Sequence, residues 1–196
     1  MINHVISDLT YPTPSDSPLV VILCPDWQPA QVIASICAQL GQEIPVNNDG
    51  RIFRVGCIFA NEKAHLVELT NGCHILVSTP NSLLRMLEGR MTSLERCSHL
   101  IFERADDLFE KFSNQVGKIM SKLQRQNQII VSSDEWSKDI KDFVKEFLFS
   151  EKFVGPQIVF GNPLEALIYS KMKLKIHVIK NQKEDFLRKF IQTDKR

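Results

Sequence analysis

No stretch of this chain is apolar for long enough to cross a bilayer. Its longest apolar runs, such as LVVILC at residues 19–24, fall far short of the roughly 20 residues a spanning helix needs. Met1 is not followed by a basic stretch and an apolar core, so no signal peptide is expected. The five cysteines, Cys24, Cys37, Cys57, Cys73 and Cys97, form no CxxC pair. That argues against a redox dithiol or a zinc ribbon and for a reduced, intracellular setting. No GxxxxGK(S/T) occurs anywhere, so the chain carries no loop of the kind that cradles β- and γ-phosphates. Internal repeats and low-complexity tracts are also missing.

What is present is ordinary for a globular domain. The 196 residues are 43% hydrophobic and 24% charged, enough for one domain or one domain with a piece of another. The net charge of +1 hides an asymmetry. Residues 171–196 hold 9 basic and 3 acidic side chains, leaving 15 basic and 20 acidic for the first 170. The body is therefore no basic nucleic-acid clamp, and any RNA or DNA contact must be local or need a second domain.

After a Pro- and Ser-rich start at residues 1–18, short β-rich runs alternate with amphipathic stretches. LVVILC (19–24), RIFRVGCIF (51–59), CHILVS (73–78), HLIF (99–102), QIIVSS (128–133) and PQIVF (156–160) read as strands; LVVILC is continuous enough to be buried on both faces, CHILVS is strong and RIFRVGCIF weaker. Between them, Val32, Ile33, Ile36, Cys37 and Leu40 are spaced as the inner face of a helix that Gly41 would cap. Thr79, Pro80 and Gly89 predict the cap, first turn and end of another. Leu108, Phe109, Phe112, Val116, Ile119, Met120 and Leu123 mark a third, and Ile140, Phe143, Val144, Phe147 and Leu148 a fourth. The alternation predicts an α/β fold, a parallel sheet with helices on both faces. Ligands in such folds bind at the carboxyl ends of strands, where Pro25, Thr79, Glu103–Asp106 and Ser132–Asp134 fall.

These clusters carry a resemblance. CPDWQPAQ sits where DEAD-box RNA helicases have PTRELA. RVGC resembles their glycine doublet, ILVSTPNSLL the strand into TPGRL, LIFERADDLF the LVLDEADRLL segment, and IIVSSD the position of SAT. The chain thus resembles the first RecA-like domain of that family over roughly residues 19–160. The Cys-Pro-x-Trp step, the Thr-Pro-x-Ser-Leu-Leu-Arg step and a Trp after the third motif resemble more narrowly the degenerate helicase-like domains of Yb-type tudor proteins of the animal piRNA pathway.

The resemblance implies a domain plan: an N-terminal segment and loop (1–18), a degenerate RecA-like domain (19–164), and a linker with strand and helix leading toward a second RecA-like domain (165–196). It also implies site roles. Glu103 replaces the metal-side Asp, Arg104 the catalytic Glu, and Ala105 and Asp106 complete the motif. Ser132, Ser133 and Asp134 stand for the third motif. An arginine accepts no proton and cannot act as general base. RNA-contact candidates are Pro25, Trp27, Gly56, Thr79, Pro80 and Ser82, though Trp27 and Ser82 stand where the family has phosphate-binding arginines.

Plainer readings stay open at each. Residues 103–107 also read as a helix start with acids favouring its dipole. Thr79-Pro80 is also a common helix start, and Trp27 an ordinary packing or partner residue. A zinc site needs Cys73 and His74 to converge with Cys97 and His99, and no metal is expected.

The expected function is a catalytically degenerate module that binds single-stranded RNA weakly and scaffolds piRNA-pathway proteins in a cytoplasmic, perinuclear granule. No DNA or membrane partner is expected, and ATP and Mg²⁺ enter only if a P-loop precedes the chain. The alternative is the N-terminal half of an ATP-dependent RNA helicase. The orphan apolar run KLKIHVI and the helix after it would pair either with this sheet's own edge or with a second molecule, giving a homodimer.

Overall fold

The computed structural model describes residues 17–42, 53–59, 72–123 and 127–148. They lie in the first of two compact units, residues 1–156; the second is residues 157–196. The expected strand at 156–160 and the whole tail, with its self-association surface, lie outside the described residues.

Five strands form one sheet: β1 (Val20–Leu23), β2 (Val55–Ile58), β3 (Ile75–Ser78), β4 (His99–Phe102) and β5 (Gln128–Val131). The order is β2-β3-β1-β4-β5, and every pairing is parallel. Among the described residues α1 (Trp27–Gln42) joins β1 to β2, α2 (Pro80–Glu88) joins β3 to β4, α3 (Ala105–Ser121) joins β4 to β5, and α4 (Lys138–Phe143) follows β5 and runs on into a π-helical turn, Val144–Leu148. The predicted fold class is therefore the observed one.

The pleat divides the core in two. Val21, Leu23, Leu76, Leu100 and Phe102 face α2, α3 and α4, whereas Val20, Ile22, Ile75, Val77 and Ile101 face α1. Strands buried on both faces have no polar alternation, which is why β1, β3 and β4 read as continuous apolar runs. Outer β5 differs: Gln128 and Ile130 are exposed.

Two expectations for α1 are corrected. Its buried residues are Ala30, Ala34 and Gly41, while Val32, Ile36 and Leu40 are exposed. Gly41 is no cap but a contact point. A Cβ there would meet Phe53 Cδ1 at 2.1 Å, so only glycine lets that ring lie against the helix. At the end of α2, Gly89 has ordinary right-handed geometry, and Arg90 takes the left-handed conformation at φ 54°. The Met91 amide donates to Met86 O at 2.9 Å and the Arg90 amide to Leu87 O at 3.3 Å, the Schellman pattern that usually recruits glycine.

Candidate nucleic-acid interface at the strand ends

Register aligns the carboxyl ends. Ile58 pairs with Ser78, Ser78 with Leu23, Leu23 with Phe102, and Phe102 with Val131. The residues that follow, Phe59, Thr79, Cys24, Glu103 and Ser132, thus form one row about 19 Å long, four strand spacings. Backbone bonds extend the ladder past the strands. The Cys24 amide donates to Ser78 O at 3.0 Å, Glu103 to Leu23 O at 2.9 Å, and Ser132 to Phe102 O at 2.8 Å. The parallel topology thus brings together four clusters scattered over more than a hundred residues.

Residues 103–107 make the turn from β4 into α3. Arg104 caps the helix in the left-handed conformation, φ 51° and ψ 59°, with no side-chain cap bond. Its guanidinium reaches forward to the Asp107 carboxylate, which also accepts from Lys111 Nζ at 2.7 Å. The Lys111 bond, then the Arg104 charge, hold the Asp107 carboxyl below its ordinary range. Arg104 is half exposed. The Asp107–Lys111 pair sits at i,i+4 and was legible in the sequence, though not singled out.

The third-motif residues do join the second. Ser133 Oγ lies 3.1 Å from Asp106 Oδ1. The same hydroxyl lies 2.8 Å from Glu135 O and accepts the Glu135 amide at 3.3 Å. The Ala105 amide donates to Ser132 O at 2.9 Å, binding the start of α3 to the end of β5. Asp134 is exposed.

The RNA-contact candidates separate. Trp27 is 46% exposed and leans on Phe59, ring centroids 5.9 Å apart; Pro25 is half-buried beside it. Thr79 is at the cap of α2 with extended backbone, yet its hydroxyl caps nothing. It donates to Ser82 Oγ at 3.1 Å. Ser82 and Pro80 are buried, and Gly56 lies inside β2, where a Cβ would meet Cys73 Sγ at 3.3 Å. All three residues are buried, and glycine at 56 leaves room for Cys73. Asn81, which stands where the resembling motif has glycine, is exposed and accepts from Gln115 at 3.1 Å.

Among the described residues, no three of His, Cys, Asp and Glu gather as a metal would require. His74 Nδ1 accepts the Arg54 amide at 3.1 Å, and its ring stacks on Phe53. Cys97 Sγ points to His99 O at 3.3 Å. Burial pushes the Cys24 thiol up to about 12, with the Glu103 charge adding to it, and burial likewise pushes Cys97 up to about 12. Both are packing thiols rather than nucleophiles. At this edge the Arg104 guanidinium is bound by Asp107, and Asp106 Oδ1 lies 3.1 Å from Ser133 Oγ.

Comparison with known proteins agrees with this geometry. A family model described as DEAD/DEAH box helicase matches residues 1–143. The ATP-dependent RNA helicase p62 of Drosophila melanogaster is 29% identical over 136 residues, 68% of this chain and 18% of p62. Human TDRD12 is 28% identical over 177 residues, 83% of this chain and 14% of TDRD12. The chain therefore spans less than a fifth of either relative. The crystal structure of the yeast DEAD-box splicing factor Prp28 superposes with a TM-score of 0.62 at 20% identity, over 72% of this chain and 35% of that one. That likeness establishes the RecA-like fold. The family match, which takes in most of the sequence and every strand described above, identifies the chain as a member of the DEAD/DEAH box helicase family.

Proposed function

We propose that the chain is a catalytically degenerate DEAD-box domain, an RNA-binding and protein-scaffolding module of a Yb-type tudor protein of the piRNA pathway. Its setting is a cytoplasmic RNA granule. The observation that carries this reading is Arg104. It occupies the place of the general base, accepts no proton, and is tied to Asp107. The surrounding framework is nevertheless kept, since Asp106 still meets Ser133. A framework kept without its base suits binding rather than turnover. Similarity to human TDRD12 supports the tudor-type part.

RNA binding rests on few groups. Thr79 at the start of α2, whose hydroxyl would have to turn from Ser82 to donate to a phosphate, and the exposed face of Trp27 offer a hydroxyl and a stacking surface. Around them Asp26, Glu103, Asp106, Asp107, Asp134 and Glu135 outnumber Arg104 and Lys111, which repels a phosphate chain. Affinity for single-stranded RNA is therefore weak, with a shallow salt slope. The second reading, one half of an ATP-dependent helicase, is favoured by the names of the relatives and opposed by Arg104.

The test is a titration with labelled single-stranded RNA, with and without ATP and Mg²⁺. The expected result is one weak affinity in both conditions, lowered a few-fold by Thr79→Ala. Tightening of tenfold or more on adding ATP and Mg²⁺ would favour the helicase reading.

A further inference from the structure

Helices α3 and α4 enclose a groove of about 730 Å³ on the outer side of the domain's larger core. Its floor is aromatic. Phe109 and Phe143 stack with centroids 4.2 Å apart, and Phe143 meets Phe147 at 5.0 Å. Gly117 lies beside this floor with open space over it: a Cβ there would have only Phe147 Cζ within reach, at an ordinary contact distance of 4.0 Å, so a larger side chain would project into the groove.

The rim is sorted by sign. Among the described residues, Glu110, Asp139, Asp142 and Glu146 line the groove with one ammonium, Lys118. Positions 139, 142 and 146 follow the spacing of one helical face. Lys138, Lys141 and Lys145 follow the same spacing one residue earlier, on a face that does not line the groove. Lys111, next to Glu110, is turned to Asp107. Among the described residues no ion pair holds Asp139, Asp142 or Glu146. Like charges left side by side destabilise a fold, and a cationic occupant reverses the sign.

We infer that this groove docks a basic segment of a partner protein: an amphipathic stretch with Lys or Arg along its edges and one aromatic or aliphatic side chain laid over Gly117. The acidic rim meets the cations and excludes nucleic acid by charge, while the aromatic floor takes the apolar anchor, the division between rim and centre usual at docking surfaces. No groove residue belongs to the strand-end row, so this site and the proposed RNA site stand or fall separately.

The probe is a fluorescein-labelled amphipathic peptide of Lys, Ala and Leu with one central Phe, titrated into the full chain by anisotropy. Its scrambled-order counterpart is the control. Combined Asp139→Asn, Asp142→Asn and Glu146→Gln should weaken the peptide about tenfold, roughly the sum of three exposed ion pairs. Gly117→Leu should weaken it at least as much while raising helix propensity, so a loss of binding there is not a loss of fold. Unchanged affinity in either variant, or equal binding of the scrambled peptide, overturns the inference. Loss of single-stranded RNA binding in Gly117→Leu would assign the groove to RNA instead.

Discussion

Ser133 and Asp106 stand 27 residues apart in the chain and 3.1 Å apart in the fold, hydroxyl to carboxylate. The contact joins the turn after β5 to the first turn of α3. The Ala105 amide on Ser132 O, at 2.9 Å, runs parallel to it. The two bonds tie the second and third sequence clusters into one edge.

Breaking the side-chain bond tests how firmly. Both partners are at the surface, so Ser133→Ala should cost about 0.5–1 kcal/mol, the net worth of an ordinary hydrogen bond. A double-mutant cycle with Asp106→Ala, read by urea unfolding, should return a coupling of the same size. Coupling indistinguishable from zero would mean the contact contributes nothing.

Arg90 is a site for gain. It holds the left-handed residue of the Schellman turn after α2, at φ 54°. A side chain in that conformation costs about 1–2 kcal/mol, and glycine's freer unfolded chain returns part of the saving. Arg90→Gly should therefore raise stability by about 0.5–1 kcal/mol in equilibrium unfolding. A loss of stability would show that the arginine makes contacts worth more than its strain.

How far the sequence spoke depended on what marked each face. In β1, β3 and β4 a run of branched apolar residues has only one reading, burial on both sides. α3 was legible as well, because Lys and Glu alternate with its apolar stripe. α1 was not. It carries no Asp, Glu, Lys or Arg, so nothing distinguished the outer face, and Val32, Ile36 and Leu40 were taken for core although Ala30, Ala34 and Gly41 make the close contact. Ile-sized residues were expected where the sheet admits only small ones. At the site, motif resemblance located Glu103–Asp106, but the burial of Ser82 and Gly56 follows from tertiary contacts that no local pattern records.

Stability should fall at alkaline pH. The Cys24 thiol is pushed from an ordinary value of 9.0 to about 12 by burial first and by Glu103 second. A group raised in the folded state contributes its full stabilisation below the unfolded value and loses it as pH rises toward the folded one. The urea midpoint should therefore drop progressively above pH 9, and Cys24→Ala should flatten that drop. An identical slope in the variant would show that Cys24 takes no part. In the native protein near neutral pH, Cys24 and Cys97 should resist alkylation until denaturant is added.

A strand-end row that keeps a helicase framework without its chemistry should release no phosphate from ATP. The 196-residue chain, and any longer natural polypeptide containing it, would be supplied with ATP, Mg²⁺ and saturating single-stranded RNA. Because Arg104 cannot take a proton from water, release should match the no-protein control in both. Within the 196-residue chain Arg104→Glu alone should not restore it, since no phosphate-cradling loop is present. RNA-stimulated release above the control by either unmodified protein would contradict the account.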